Sequence, residues 1–363
     1  MEHMTTSAGW SEAPSPSFKN VADLTAGAFT VLDQFSTLQA TGPDAAVFLH
    51  GQLTNNIAKL VTEKTQFAGL CSIKGRLLAT FLVWRAAQPN PEAAAETIQL
   101  MLSRDLQAAV QKRLSMFILR SKVKLSDVSA SLTLIGLTGA AVKLLAPLFP
   151  NLPEQAHSKV ESAAGTLIRL SDVPLAAQTR SSESSAQPTH CARYLWAAPQ
   201  SIYNAQRASL SANLASLTPA IWDWLEIHAG EPRITEATQD QFVPQMVNFE
   251  VIGGVDFRKG CYPGQEIIAR SQYRGTIKRR MMLAHTDQAE PGAEVFHSAD
   301  PQQPCGMVVN AAPAPGGGVD CLVEVKLAML DPASGGTIHV KTLAGPVLKW
   351  LALPYALPAS GSL

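Results

Sequence analysis

From Thr276 onward the chain is cut into short β-like runs: "KRRMMLAHT", "CGMVVNAA", "DCLVEVKLA", "GTIHVKTL" and "PVLKWLALPYAL". The turn-rich stretches "EPGAE", "APAPGGG" and "DPASGG" separate them. Such runs, spaced by Gly and Pro, predict a small antiparallel β-barrel over 276–363. Upstream the pattern changes, and from about Ala28 strand-like and helix-like segments alternate. The change places a domain boundary near Gly275. Residues 28–275 then form an α+β domain with room for two subdomains, and residues 1–27, rich in Ser, Pro and Ala, are a flexible lead-in. A length of 363 residues suits two or three domains.

Within 28–275 several elements are legible. "FTVLDQFSTLQATG" reads as a strand pair with a turn. "GPDAAVFLHGQLTNNI" starts a helix, with Pro43 and Asp44 suited to its positive end and Val47, Phe48 and Leu49 as apolar cover. "QFAGLCSIKGRLLATFLVWRA" reads as two strands joined at a tight turn on Gly75, and a further strand ends "NPEAAAETIQLML". Leu106, Val110, Leu114 and Phe117 recur at helical spacing. "SLTLIGLTG" is a strand running into a turn and "AAVKLLAPLF" a helix. Residues 176–191 are a polar, low-complexity, mobile loop. "LTPAIWDWLEIHAGEPRI" is a helix that Thr218 can cap and Gly230 can end. On it Ile221, Trp224, Leu225 and His228 share a core face. Trp222 lies toward the edge of that face, where an aromatic can stack on a flat heterocycle.

Hydrophobic residues make up 46% of the chain and charged residues 16%, so it folds rather than staying disordered. Lys plus Arg equal Asp plus Glu at 29 each, so overall charge does not select a nucleic-acid partner. No stretch reaches the roughly 18 apolar residues of a membrane span. The N-terminus lacks the pattern of an export signal, which makes a cytoplasmic location the expectation. The five cysteines, an odd number with no C-x-x-C, fit reduced thiols better than a disulfide framework or a zinc site. No G-x-S-x-G, P-loop or G-x-G-x-x-G is present.

One octapeptide concentrates the chemistry: "KGCYPGQE", Lys259 to Glu266. Arg258 and Lys259 precede the Cys261 thiol, and the segment after it reads as a turn entering a helix. Cations and a helix N-terminus both favour thiolate, which can serve as nucleophile, metal or cluster ligand, or redox partner. The alternative is a buried structural cysteine. Between Arg258 and Arg280 stand seven basic residues (Arg258, Lys259, Arg270, Arg274, Lys278, Arg279, Arg280) and one acidic residue, Glu266. That excess favours an anion such as a carboxylate tail, a phosphate or an RNA backbone.

"FRKGCYPGQEIIARSQYRGTIKRR" resembles the signature of the YgfZ family, folate-binding proteins tied to iron–sulfur enzyme maintenance and tRNA modification. The match falls on Lys259, Gly260, Cys261, Tyr262, Gly264, Gln265 and Glu266, then on Arg270, Gly275, Lys278 and Arg279. "GPDAAVFLHGQLTNNI", "KGR" at 74–76, "AGEPRITEATQDQFVPQMVNFEVIGGVDF" and the closing "LPYAL" extend it over about Phe29 to Leu357. The family shares its fold with the glycine-cleavage T-protein, an aminomethyltransferase that uses tetrahydrofolate. The resemblance therefore implies an α+β, aminomethyltransferase-like folate-binding domain followed by a β-barrel. It implies tetrahydrofolate or a derivative in a central cavity, with Phe35 and Trp222 beside the pterin and Arg258, Arg270 and Arg274 toward the glutamyl carboxylates. Cys261 is then the essential thiol, with Lys259, Tyr262, Gln265 and Glu266 around it.

In the aminomethyltransferases a catalytic aspartate follows a glycine pair on an early strand. Here Ala79 and Thr80 stand in that place, and no Asp or Glu occurs from Lys64 to Pro91. Three readings follow. The first is a folate-dependent factor for iron–sulfur proteins such as radical enzymes that thiolate tRNA, with direct tRNA contact as a further expectation. The second is a folate-dependent one-carbon transferase or demethylase. The third is a binding module with an inert Cys261.

Overall fold

The computed structural model describes residues 22–86, 96–175, 189–273, 277–331 and 335–358. The lead-in through residue 21, most of the 176–191 loop, Arg274 and the Gly275 boundary lie outside the described residues.

Three sheets carry the fold. The first runs in the order Ala215–Ser216, Ala28–Val31, Leu132–Thr138, Arg193–Pro199, Gly165–Arg169, Lys159–Ser162. All its pairings are antiparallel except the first, which is parallel. The second is wholly antiparallel: Thr65–Cys71, Leu77–Arg85, Glu96–Ser103, Phe35–Gly42, Lys124–Asp127. The third holds the expected β-like runs, in the order Ile338–Val340, Glu294–His297, Asp300–Pro313, Val319–Lys326, Arg279–Thr286, Lys349–Leu351. It is antiparallel and curls into a half-barrel. Its edges approach each other, because Leu348 N donates to Ile338 O and Val340 N to Pro346 O just ahead of the opposite edge strand. The fold is α+β, as the sequence predicts.

Several local expectations need correction. Phe29–Gly42 is not a hairpin. Its two strands lie in different sheets, since Leu32 N bonds Leu134 O and the chain crosses over before Phe35. Residues 22–26 are a short helix with Leu24 fully buried, so ordered chain starts ahead of residue 28. Thr189–Cys191 pairs with Val173–Leu175 and is strand, not loop. Helix Ala45–His50 buries Ala45, Ala46, Phe48 and Leu49 but leaves Val47 exposed. Gly139–Leu145 is a 3-10 helix, and the helix bearing Val110 and Leu114 begins after Leu106, which ends a 3-10 turn, and stops at Ser115, short of Phe117. Thr218 makes no side-chain cap to helix Pro219–His228.

That helix is the hub. Ile221, Trp224 and Leu225 belong to the main core, which also takes in the second sheet and Met281, Leu283, Val309 and Leu322 of the third. The Asp320 carboxylate accepts hydrogen bonds from Trp224 Nε1, His228 Nε2 and His285 Nδ1, each at 2.7 Å. Burial works to raise the Asp320 pKa, but the bonds from His228, His285 and Trp224 overcome it and hold it low. Just past the helix, Asn310 grips the backbone of Arg233 from the third sheet, Nδ2 donating to Arg233 O and Oδ1 accepting from Arg233 N.

Candidate functional site

The KGCYPGQE segment is assembled by long-range backbone contacts. Thr54 Oγ1 donates to Gly254 O at 2.6 Å and accepts from Gly69 N at 2.7 Å. Asn55 Nδ2 donates to both Phe67 O and Gly253 O at 2.7 Å. The loop after helix Ala45–His50 thus holds the approach to Lys259 in place. Lys259 is 7% exposed, with Nζ donating to His50 O at 2.5 Å and Leu53 O at 2.9 Å. The same ammonium sits 4.5 Å from the centroid of the buried Tyr262 ring. Burial pulls the Lys259 pKa down to about 8, against Asp256 and Cys261, which favour its charge. Burial and neighbouring Cys71 and Asp256 push the Tyr262 phenol up.

The "KGR" turn lies directly against this segment. Gly75 (φ +71°) and Gly264 (φ +80°) meet backbone to backbone: a Cβ on Gly264 would stand 2.4 Å from Ser72 O and 2.7 Å from Gly75 Cα. Helix Gln265–Tyr273 leaves from there, with Gln265 N on Tyr262 O. Cys261 is exposed, one turn ahead of the helix rather than inside its first turn. Exposed apolar side chains lie on the elements that flank the segment, Ile73 at 80% in the turn against Gly264 and Tyr273 at 66% at the end of helix Gln265–Tyr273, with Ile267 against Gly75. His50, which sequence reasoning passed over, is also here: its Nε2 is 3.6 Å from where a Cβ on Gly260 would stand. Burial and then Lys259 lower its pKa.

The basic cluster divides on folding. Lys259 turns inward. Arg280 is buried on Glu250 and Gln245 O. Arg279 holds both Glu324 oxygens at 2.7 Å. Arg258, Arg270 and Lys278 stay exposed, with Arg270 on Glu266 at 3.3 Å, and Arg274 is outside the described residues. A continuous seven-residue anion surface is therefore not formed, because acidic and carbonyl partners distant in sequence take three of its members.

A second constellation lies around helix Pro219–His228. A central cavity is lined by Phe35, Phe67, Thr80, Phe81, Glu226, Glu231 and Arg233, among others. Arg233 stacks 4.6 Å over the Phe35 ring and bonds Asp223 at 2.7 Å and Glu226 at 3.0 Å. Arg193 bonds Glu231 at 2.6 Å. Three carboxylates thus share two guanidiniums. Burial, with Asp223 and Glu231 beside it, pushes Glu226 up to about 8 against the pull of Arg233 and Arg193. Thr80, in the place of the aminomethyltransferase acid, spends its hydroxyl accepting from Ile234 N at 3.1 Å. Trp222 is not at a helix edge. It is 1% exposed, its ring packed on Gly136 and 5.7 Å from the Arg193 guanidinium.

The cavity's residues suit a flat heterocycle with N–H donors and ring acceptors on its edge. Of the lining, Arg233 Nε is buried without a hydrogen-bond partner among the described residues, and Glu226 and Glu231 supply acceptors; Arg193 Nη1 and Trp222 Nε1, also unpartnered, lie behind Glu231 and outside the lining. The open volume is about 40 Å³, less than a fused bicyclic ring fills, so the walls must part to admit one. Among the described residues no group of three or more His, Cys, Asp or Glu side chains is placed to hold a metal ion. No described helix is long and apolar enough to cross a membrane.

Removing the Lys259 amine tests the segment's assembly. Lys259→Met leaves two buried carbonyls without a donor and is expected to cost about 1–3 kcal/mol at pH 7. Because the folded-state pKa is lowered, the unfolded chain binds more protons between about 8 and 10.5. Wild-type stability therefore gains with pH in that window, a gain the variant lacks. Urea unfolding at pH 7 and 9.5 should show the cost grow by about 2 kcal/mol.

No family model matches the chain. Its fold is that of the glycine cleavage system aminomethyltransferase T from Bartonella henselae, with a TM-score of 0.66 at 15% identity over 90% of this chain and 86% of that one. The chain belongs to the YgfZ family. Proteins described as tRNA-modifying protein YgfZ match it from Edwardsiella ictaluri (strain 93-146) at 31% identity over 259 residues, and from Klebsiella pneumoniae (strain 342) at 30% over 251. The first alignment spans 69% of this chain and 68% of the relative, the second 69% of each. The one from Sodalis glossinidius (strain morsitans) matches at 27% over 330 residues, covering 90% of this chain and 92% of the relative.

Proposed function

We propose that this chain is a folate-binding factor acting in tRNA modification, where it supports iron–sulfur enzymes that thiolate tRNA through the thiol of Cys261. The observation that carries the reading is the cavity in which Phe35, Glu226 and Glu231 stand beside Arg233, whose Nε has no partner among the described residues, in an aminomethyltransferase-like fold. Family relatives described as tRNA-modifying support the pathway. In this reading Glu226, Glu231 and Arg233 hold the heterocycle of tetrahydrofolate or a derivative, and Phe35 lies against it. Trp222 backs Arg193. The bound folate supplies one-carbon or reducing chemistry. The protein's residues orient it, exclude water and accept its N–H groups at Glu226 and Glu231.

Cys261 stands outward, where a partner protein can reach it. A single thiol cannot hold a cluster that needs about four ligands, so any cluster contact uses the partner's thiols as well. Exposed Ile73 and Tyr273 with Arg258 and Arg270 offer such a partner, or tRNA, an apolar and basic rim. The one-carbon transferase reading is disfavoured by Thr80, whose hydroxyl is occupied where that reaction needs a carboxylate. An inert buried cysteine does not fit an exposed thiol.

Complementation tests the proposal. In cells lacking the cognate gene, methylthiolated tRNA nucleosides are quantified after expressing wild type or Cys261→Ser at matched levels. Restoration by wild type alone places the function at the thiol. Equal restoration by both would remove Cys261 from it, and turnover of a methylamine donor by the purified chain would favour the transferase.

A further inference from the structure

A second cavity, of about 180 Å³, lies where the chain crosses between the first two sheets. It shares Phe35 with the central cavity, so the ring is a common wall. Its apolar lining is Val31, Leu32, Phe35, Leu132 and Leu134; its polar lining includes Ser36, Thr37, Ser129 and Arg104. One feature is unexplained by the fold, and a second places a free cation at the cavity's mouth. Thr37 is 0% exposed, yet its hydroxyl has no partner among the described residues, although its N–H is satisfied by Ser129 Oγ at 3.0 Å. Burying such a hydroxyl unpaired costs stability. Arg104 is exposed at the cavity's mouth and uses only Nε, on Asp33 O, so its remaining N–H groups, with no hydrogen-bond partner among the described residues, are open to solvent or to a ligand.

We propose that this cavity binds a carboxylate carried on an aryl or short alkyl body. The volume equals about six waters' share of liquid, which is the bulk of a benzoate-sized acid. The guanidinium fork of Arg104 matches a carboxylate, and the Thr37 hydroxyl supplies a further donor. The Asp33 side chain, exposed at the rim beside Arg104, weakens the positive field, and this selects a singly charged group over phosphate. Asp127, nearby, is engaged by Ser129. Such a carboxylate can come from a free acid or from the benzoylglutamate end of a folate whose ring lies across Phe35. The second source rests on the folate reading; the first does not.

Calorimetric titration of the full chain separates the sources. The probes are 4-aminobenzoate, inorganic phosphate, tetrahydrofolate and 6-methyltetrahydropterin, which lacks the tail. Wild type is compared with Arg104→Gln and Thr37→Val. If the free acid is the ligand, 4-aminobenzoate binds wild type and weakens about tenfold or more in Arg104→Gln and severalfold in Thr37→Val. If the folate tail is the ligand, tetrahydrofolate shows those losses while 6-methyltetrahydropterin does not. Thr37→Val should melt no lower than wild type, since its hydroxyl holds nothing in the fold. The proposal is overturned if both variants leave 4-aminobenzoate and tetrahydrofolate binding unchanged, if neither probe binds wild type, or if phosphate binds as well as the acid. Should tetrahydrofolate fail to bind wild type, the folate reading falls and the 4-aminobenzoate titration alone decides the cavity.

Discussion

Gly264→Ala is expected to unfold at markedly lower urea than wild type, a loss of about 2–5 kcal/mol. Two effects add. The left-handed backbone at φ +80° costs an alanine about 1–2 kcal/mol. The new methyl then meets Ser72 O at 2.4 Å, Gly75 Cα at 2.7 Å and Gly75 N at 2.8 Å. All three are backbone atoms in a turn closed by Gly75 N on Ser72 O and Ser72 N on Arg76 O, so they cannot rotate aside. Gly317→Ala is the control: φ is +91°, but nothing lies within 4 Å of the added methyl. It should show only the backbone part. Equal losses for the two variants would mean that the contact between the turns contributes nothing, and Cys261 would then be held by Lys259 alone.

Glu226→Gln should raise stability near neutral pH while weakening tetrahydrofolate binding at least tenfold. Folding raises the Glu226 pKa to about 8. Its contribution is therefore fully present below the unfolded value near 4.5 and is lost as pH rises toward 8. The glutamine variant lacks this slope, and its melting temperature should exceed that of wild type at pH 7.5 by an amount that vanishes at pH 4.5. A shift in stability of about 1–3 kcal/mol is expected, discounted because Arg233 shares the charge. Binding should move the other way. A heterocycle that donates N–H groups to Glu226 selects its ionised form, so wild-type affinity rises between pH 6 and 8 and a proton is released on binding. Titration in buffers of different ionisation enthalpy measures that proton. No proton release and no loss of affinity in Glu226→Gln would take this carboxylate out of the site.

How far the sequence carries depends on whether a feature is local. The hairpin around Gly75, the runs of the third sheet and the helix ending near Gly230 are written in periodicity and turn residues, and they stand as read. The strands at Ala28–Val31 and Phe35–Gly42 were also visible, but their partners were not: adjacency suggested a hairpin, whereas pairing is settled by sheets completed a hundred residues later. The basic cluster misled for the same reason. Glu324 and Glu250, which neutralise Arg279 and Arg280, have no sequence proximity to advertise them. Glu226, Glu231 and Arg233 were in view within "LEIHAGEPRI", yet nothing in their spacing marks an interior cluster. Only the desolvation found on folding does. The KGCYPGQE motif was the legible part of the site, and His50 beside it was the silent one.

The grip of Asp320 on helix Pro219–His228 bears on what can be cut away. The helix that presents Glu226 to the cavity hangs by Trp224 and His228 from a carboxylate of the third sheet, and Arg233 is pinned by Asn310 of the same sheet. Tyr355, near the end of the described chain, closes onto Gly230 O. The C-terminal quarter is thus no detachable appendage but the foundation on which the cavity's floor is laid. A fragment ending before it would retain every residue of the KGCYPGQE motif and lose the footing of Glu226 and Arg233.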